Sequence, residues 1–137
     1  MMNQTHFDFV FVIDSKDIAA VSPNGRCNPF KKARIVKKLR AMGKTGALKQ
    51  LKDKGFTPQG EIMWTGVRVR RIMRRFQSNH FPDADNTQAA MKSVIDGICD
   101  HLQISGRSLT PRPVEFEADP LERRWVITFY YEILSHD

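Results

Sequence analysis

The sequence predicts an α+β fold: a mixed β-sheet of about four strands packed with helices, in one domain over residues 1–137. Three observations predict it. Runs rich in Phe, Val and Ile alternate with runs of helical period. Their order, strand, helices, strand, helix, strand, strand, favours a mixed sheet with helices on one or both faces. A length of 137 residues with 41% apolar and 27% charged side chains is enough to close a core without staples.

Residues 6–14, HFDFVFVID, read as a strand, and their largely continuous apolar character places it centrally in the sheet. Residues 15–29 contain SPNGRCNP and read as a long loop. Residues 30–54 are helical, with Gly43 and Gly46 dividing them into pieces over 30–42 and 47–54. In the first piece Phe30, Ala33, Val36 and Leu39 recur every third residue, with Ile35 widening the stripe. GFTPQG at 55–60 is a turn, and 61–76 is a strand or strand pair in which VRVRR alternates apolar with basic residues, giving a positive outer face. A helix follows from about 86 to 103, with Met91, Val94, Ile95, Ile98 and Leu102 as its buried stripe. Residues 105–113 are a loop; 113–118 and 124–133 are the closing strands, with DPLERR between them.

The charge is the first functional signal. Lys and Arg total 22 against 15 acids, a net charge of +7, with a pI of about 9.7. That excess favours polyanionic partners, nucleic acid first. The cations cluster at Lys31, Lys32, Arg34, Lys37, Lys38 and Arg40, with Arg26 just upstream, and again at Arg68, Arg70, Arg71, Arg74 and Arg75. Two basic clusters upstream of an acidic one suit a groove that follows a phosphate backbone. Cys27 and Cys99 are isolated, form no metal-binding spacing, and are expected as free thiols of a reducing cytosol. The apolar run 7–13 is too short to span a bilayer, so no membrane association is expected. The histidines form no triad with Ser or Cys.

The acidic exception is NHFPDADN at 79–86. One Asp at a helix start is ordinary capping, because its carboxylate accepts a free backbone N–H and suits the positive helix end. Asp83 and Asp85 together, followed by Asn86, supply more oxygen ligands than a cap needs and suit a hard cation such as magnesium. Lys92 lies seven residues beyond Asp85 and Asp96 eleven, so on a continuous helix both return to the Asp85 face. Asp96 would then stand roughly 16 Å along the axis from Asp85, too far to share an ion. Lys92 is either an i,i+4 partner of Asp96 or a cation set beside a metal-bound phosphate.

The stretch DADNTQAAMKSVIDGI resembles the active-site segment of the RusA family of Holliday junction resolvases, which includes phage and prophage relatives. The family pattern of D-x-D-N, then Lys, then Asp four residues later falls on Asp83, Asp85, Asn86, Lys92 and Asp96. NGRCNPFKKARIVKKLR is similar to the family's early loop and basic helix, VRVRRIMRRF to the strand leading to the acids, and RRWVITFYYE to the closing strand. The resemblance implies a RusA-like homodimer that binds four-way DNA junctions and makes paired nicks with magnesium, or with manganese in its place. It implies Asp83 and Asp85 as metal ligands, Lys92 as a cationic catalytic helper, and Asn86 and Asp96 as structural parts of the motif. Arg26, Lys31, Lys32, Arg34, Lys37, Lys38, Arg68, Arg70 and Arg74 would contact DNA. A cytoplasmic location in a bacterial host goes with it.

The sequence departs from the family at one point. The further acidic pair expected after the helix falls on Gly106 and Arg107, just before Ser108. Neither residue offers a carboxylate, and Arg107 repels a cation at close range. Either a nearby acid (Glu115, Glu117 or Asp100) substitutes, or Asp83 and Asp85 act alone, or the chain binds branched DNA or a host protein without cutting.

Overall fold

The structure is a computed structural model that describes residues 5–22, 28–58, 60–73 and 84–134, with backbone alone for 84–86. It has an α+β fold with a mixed five-stranded sheet packed against helices. The strands are β1 (Thr5–Phe11), β2 (Ile62–Met73), β3 (Thr110–Pro111), β4 (Glu115–Ala118) and β5 (Arg124–Ile133). The helices are α1 (Ser15–Val21), α2 (Pro29–Asp53), α3 (Ala84–Ala90) and α4 (Lys92–Leu102). β5 lies between β1 and β2 and is antiparallel to both. The two-residue β3 and the short β4 run parallel to β2 along its other edge, in tandem, so five strands occupy four lanes.

Alternation along the strands assigns one sheet face to the core. Phe9 and Phe11 of β1, Val67 and Val69 of β2, and Trp125, Ile127 and Phe129 of β5 pack with Leu39, Met91, Val94, Ile95 and Ile98 of the helices. Phe9 meets Phe129 edge-on at 5.6 Å, and Trp64 meets Phe129 at 5.9 Å, so aromatic area fills the centre.

Several elements differ from the sequence reading. β1 is an edge strand, not a central one: Phe7, Phe9 and Phe11 turn inward while Asp8 and Val10 are exposed. Its free edge is covered at one point by α2, where the Gln50 amide donates to the Val10 carbonyl and accepts from its N–H, both at 2.8 Å. The expected loop from residue 15 begins as a helix, because Asp14 accepts from the Lys16 N–H at 2.9 Å and Ile18 and Val21 are buried. The helix expected from 86 to 103 is two helices that meet at Met91, although the Met91 N–H still bonds back to Thr87 and Gln88.

α2 is not divided by its glycines. It starts at Asn28, whose side chain caps the Phe30 N–H, with Pro29 in the first turn. It ends at Gly55 (φ +62°), where the Gly55 and Phe56 N–H groups return to Lys52 and Leu51. Its buried residues are Ile35, Leu39, Gly43 and Ala47, a spacing of four rather than three. Phe30 is therefore outside the stripe and 83% exposed. Gly43 lies on the face that meets α4. A methyl there would stand 2.1 Å from the Val94 carbonyl oxygen, and one on Gly97 would stand 1.9 Å from the Arg40 carbonyl oxygen. Neither obstacle is a side chain that can swing away.

Overpacking a well-fitted contact typically costs about 1–3 kcal/mol. Gly97→Ala is expected at or above the upper end of that range in a urea titration, since backbone must separate from backbone. A midpoint equal to the parent's would contradict this account of the crossing.

Candidate functional site

The α2–α4 crossing places the second half of the acidic motif on the rim of a cavity of about 570 Å³. α3 contributes Gln88 and Ala89, α4 contributes Lys92, Ile95 and Asp96, and α2 contributes Arg40. The far wall is the short 3-10 turn Gly106–Ser108 with Ser105 before it. The floor is apolar, formed by Val67, Ile95, Leu109 and Pro111. The two halves of the resemblance therefore meet: the Lys92/Asp96 stripe and the Gly106-Arg107 turn share one cavity. A methyl on Gly106 would lie 3.8 Å from the Asp96 carboxylate, so the turn sits directly against α4.

The turn is held by its own serines. The Ser105 hydroxyl accepts from the Arg107 N–H at 3.3 Å, and the Ser108 hydroxyl donates to the Ser105 carbonyl at 2.7 Å. Arg40 is committed to Asp100 through two hydrogen bonds, at 2.6 and 2.9 Å. These bonds hold the Asp100 carboxyl below its usual range and raise Arg40 further. Lys92 and Arg107 make no ion pair among the described residues, and none joins Lys92 to Asp96. The Gln88 amide oxygen is buried with no hydrogen-bond partner among the described residues. Cys99, beside the turn, has its thiol pushed up to about 11, first by burial and then by Asp96 and Asp100.

Asp83, Arg26 and Arg74 lie outside the described residues, as do Cys27, Arg75 and His80. Asp85 and Asn86 belong to the first turn of α3, and position 85 stands one turn before Gln88 and Ala89; their side chains are outside the description. Among the described residues no three His, Cys, Asp or Glu side chains converge in a metal-binding group. The described part of the cavity does not fit a divalent ion: Asp96 is its carboxylate, against Arg40, Lys92 and Arg107. None of the three acids proposed as substitutes supplies the lack. Glu115 is paired with Arg68 at 3.1 Å and Arg70 at 3.3 Å, Glu117 stands 4.0 Å from Arg70, and Asp100 is held by Arg40.

Those pairs also correct the expected positive strand face. The parallel register puts Arg70 opposite Glu115 and Ile72 opposite Glu117, so the outer face of β2 carries mixed charge. Arg68 stands over the Tyr130 ring at 5.9 Å, and Arg71 points to the other face, 4.9 Å from the Trp125 ring. Burial, then Arg123, lowers Arg71. On α2, Lys38 pairs with Asp17 at 2.8 Å, which leaves Lys31, Arg34 and Lys37 as exposed cations and Lys32 half-buried. Trp64, Trp125 and Tyr130 are buried, and Tyr131 is half-buried. The sequence reading missed Arg40, Gln88 and Ser105 as parts of the cavity. Gln88 lay inside the quoted motif and Ser105 stands beside Gly106-Arg107, whereas Arg40 is brought there only by the helix crossing.

No helix among the described residues is long and apolar enough to cross a membrane. Comparison with protein-family models, with curated proteins and with solved structures finds no match for this chain.

The Arg40–Asp100 pair gives a pH-dependent expectation. A carboxyl lowered in the folded state contributes stability above its unfolded pKa and loses it as pH falls through the lowered value. Arg40→Ala is expected to return the Asp100 carboxyl upward toward its ordinary range in a carbon-detected NMR titration. An unmoved midpoint would show that the pair does not set it.

Proposed function

We propose that this chain is a RusA-like endodeoxyribonuclease that cuts phosphodiesters in branched DNA, the four-way junction first, in a magnesium-dependent reaction. The observation that carries the reading is the shared cavity: Lys92 and Asp96 of the motif open onto the turn where the resemblance places its second acidic site. The exposed cations of α2 support a polyanionic substrate. Asp83 and Asp85 are the ligands assigned to magnesium, or to manganese in its place, on the strength of the motif alone. Lys92 is assigned to the phosphate as a cationic helper. Paired cuts across a symmetric junction require two active sites, so the working form is a homodimer. Action in the cytoplasm of a bacterial host and a phage or prophage origin belong to the same reading.

A second reading is favoured by one observation. Arg107 stands in the cavity where a carboxylate is expected, and none of Asp100, Glu115 and Glu117 replaces it. A RusA-like protein that binds branched DNA without cutting it would look the same.

A labelled four-way junction separates the two. With magnesium, the wild type is expected to make symmetric nicks, and Asp85→Asn to reduce them by about a hundredfold or more while junction binding in EDTA persists. Junction binding without nicking under magnesium or manganese would overturn the enzyme and leave the binder. Equal affinity for junction and plain duplex would remove both.

Arg107→Asp is expected to tighten magnesium binding by the chain in the absence of DNA, read by calorimetry, because it exchanges a repelling charge for a ligand. Unchanged magnesium affinity would show that Arg107 does not oppose a cation there.

A further inference from the structure

The described cavity wall is poor in carboxylates and rich in unpaired cations, the reverse of what a divalent ion wants. We infer that this cavity is a metal-independent seat for a nucleotide phosphate, with Arg107 and Lys92 as its two cationic arms. The inference rests on the DNA-acting reading above for its ligand class.

Three features support it. Of the cations around the cavity, Arg40 is already held by Asp100, whereas Lys92 and Arg107 have no ion pair among the described residues. They approach from different elements, Lys92 from the first turn of α4 and Arg107 from the serine-braced turn, so an anion between them is gripped from two sides. A guanidinium presents a planar fork that matches two phosphate oxygens, and an ammonium adds a point charge. The Ser105 and Ser108 bonds fix the backbone that carries Arg107, which lowers the ordering cost of binding.

The rest of the cavity suits what is attached to a phosphate. Its floor of Val67, Ile95, Leu109 and Pro111 is apolar, fit for the face of a sugar or base. A volume of about 570 Å³ admits one nucleotide unit. The unit is a nucleoside monophosphate, either within a strand or free.

The test is a titration in EDTA, read by calorimetry, of the wild type, Arg107→Ala and Arg107→Lys. The probes are thymidine monophosphate, inorganic phosphate and a four-way junction. Binding of the wild type without metal is expected, with thymidine monophosphate tighter than inorganic phosphate. Arg107→Ala should weaken junction and mononucleotide by about tenfold or more, and Arg107→Lys should recover part of the loss. Junction binding alone, still lost in Arg107→Ala, assigns the seat to strand phosphates; mononucleotide binding as well assigns it to free nucleotides too. Arg107→Ala binding like the wild type, or wild-type binding only when magnesium is present, would overturn the seat. Neither result touches the junction-nicking outcome, so failure here is distinct from failure of the nuclease reading.

Discussion

The contact on which the site depends is the crossing of α2 and α4, where Gly43 and Gly97 let one helix backbone rest on the other. There is no room for a methyl on either side: the nearest obstacles are carbonyl oxygens at 2.1 and 1.9 Å. That closeness has two consequences. It seals Leu39, Val94 and Ile98 completely from water over the sheet. It also brings Arg40 of α2 level with Asp100 of α4, where two hydrogen bonds span the crossing. With the helices held at this crossing, Lys92 and Asp96 turn toward the sheet edge where β3 and the turn at 106–108 close the cavity.

Charge in this region is sorted by pairing. Arg40 with Asp100, Lys38 with Asp17 and Arg68 and Arg70 with Glu115 remove several of the basic residues that the sequence offers to a polyanion. Exposed pairs of this kind contribute little to stability, but they decide which cations remain available. What remains exposed among the described residues runs along α2 (Lys31, Arg34 and Lys37, then Lys44, Lys49 and Lys52), with Lys16, Lys54 and Arg123 elsewhere and Lys92 with Arg107 at the cavity. The cavity pair is therefore one part of a broader positive surface.

The strongly patterned elements were legible in the sequence. The α4 stripe of Met91, Val94, Ile95 and Ile98 is buried as its spacing requires, and the alternating β2 and the aromatic β5 fall where their composition puts them. The errors have physical reasons. Gly43 and Gly46 looked like helix breakers, but a long helix tolerates glycine when a neighbour needs the space, here the α4 backbone against Gly43 and the Phe11 ring against Gly46. β1 looked central because Val10 and Val12 are apolar, yet both are exposed at 43% and 69%, and the Phe alternation was the truer signal. The α1 helix was hidden by the Pro and Gly that follow it. At the cavity, Lys92, Asp96 and the Gly106-Arg107 pair were readable along the chain; Asp83 and the Asp85 side chain lie outside the described residues. The pairing of Glu115 with Arg68 and Arg70 was not, because it depends on the parallel register of β2 and β4.

The central claim is that the cavity between α3, α4 and the 106–108 turn is where the protein holds a DNA phosphate. Heteronuclear NMR mapping of the chain titrated with a four-way junction in EDTA tests it most directly. The account predicts the largest backbone shifts at Gln88, Lys92, Asp96, Gly106 and Arg107, with smaller ones along the exposed cations of α2. Shifts confined to the outer sheet face around Arg68, Arg70 and Glu115, with residues 88–107 unmoved, would contradict it.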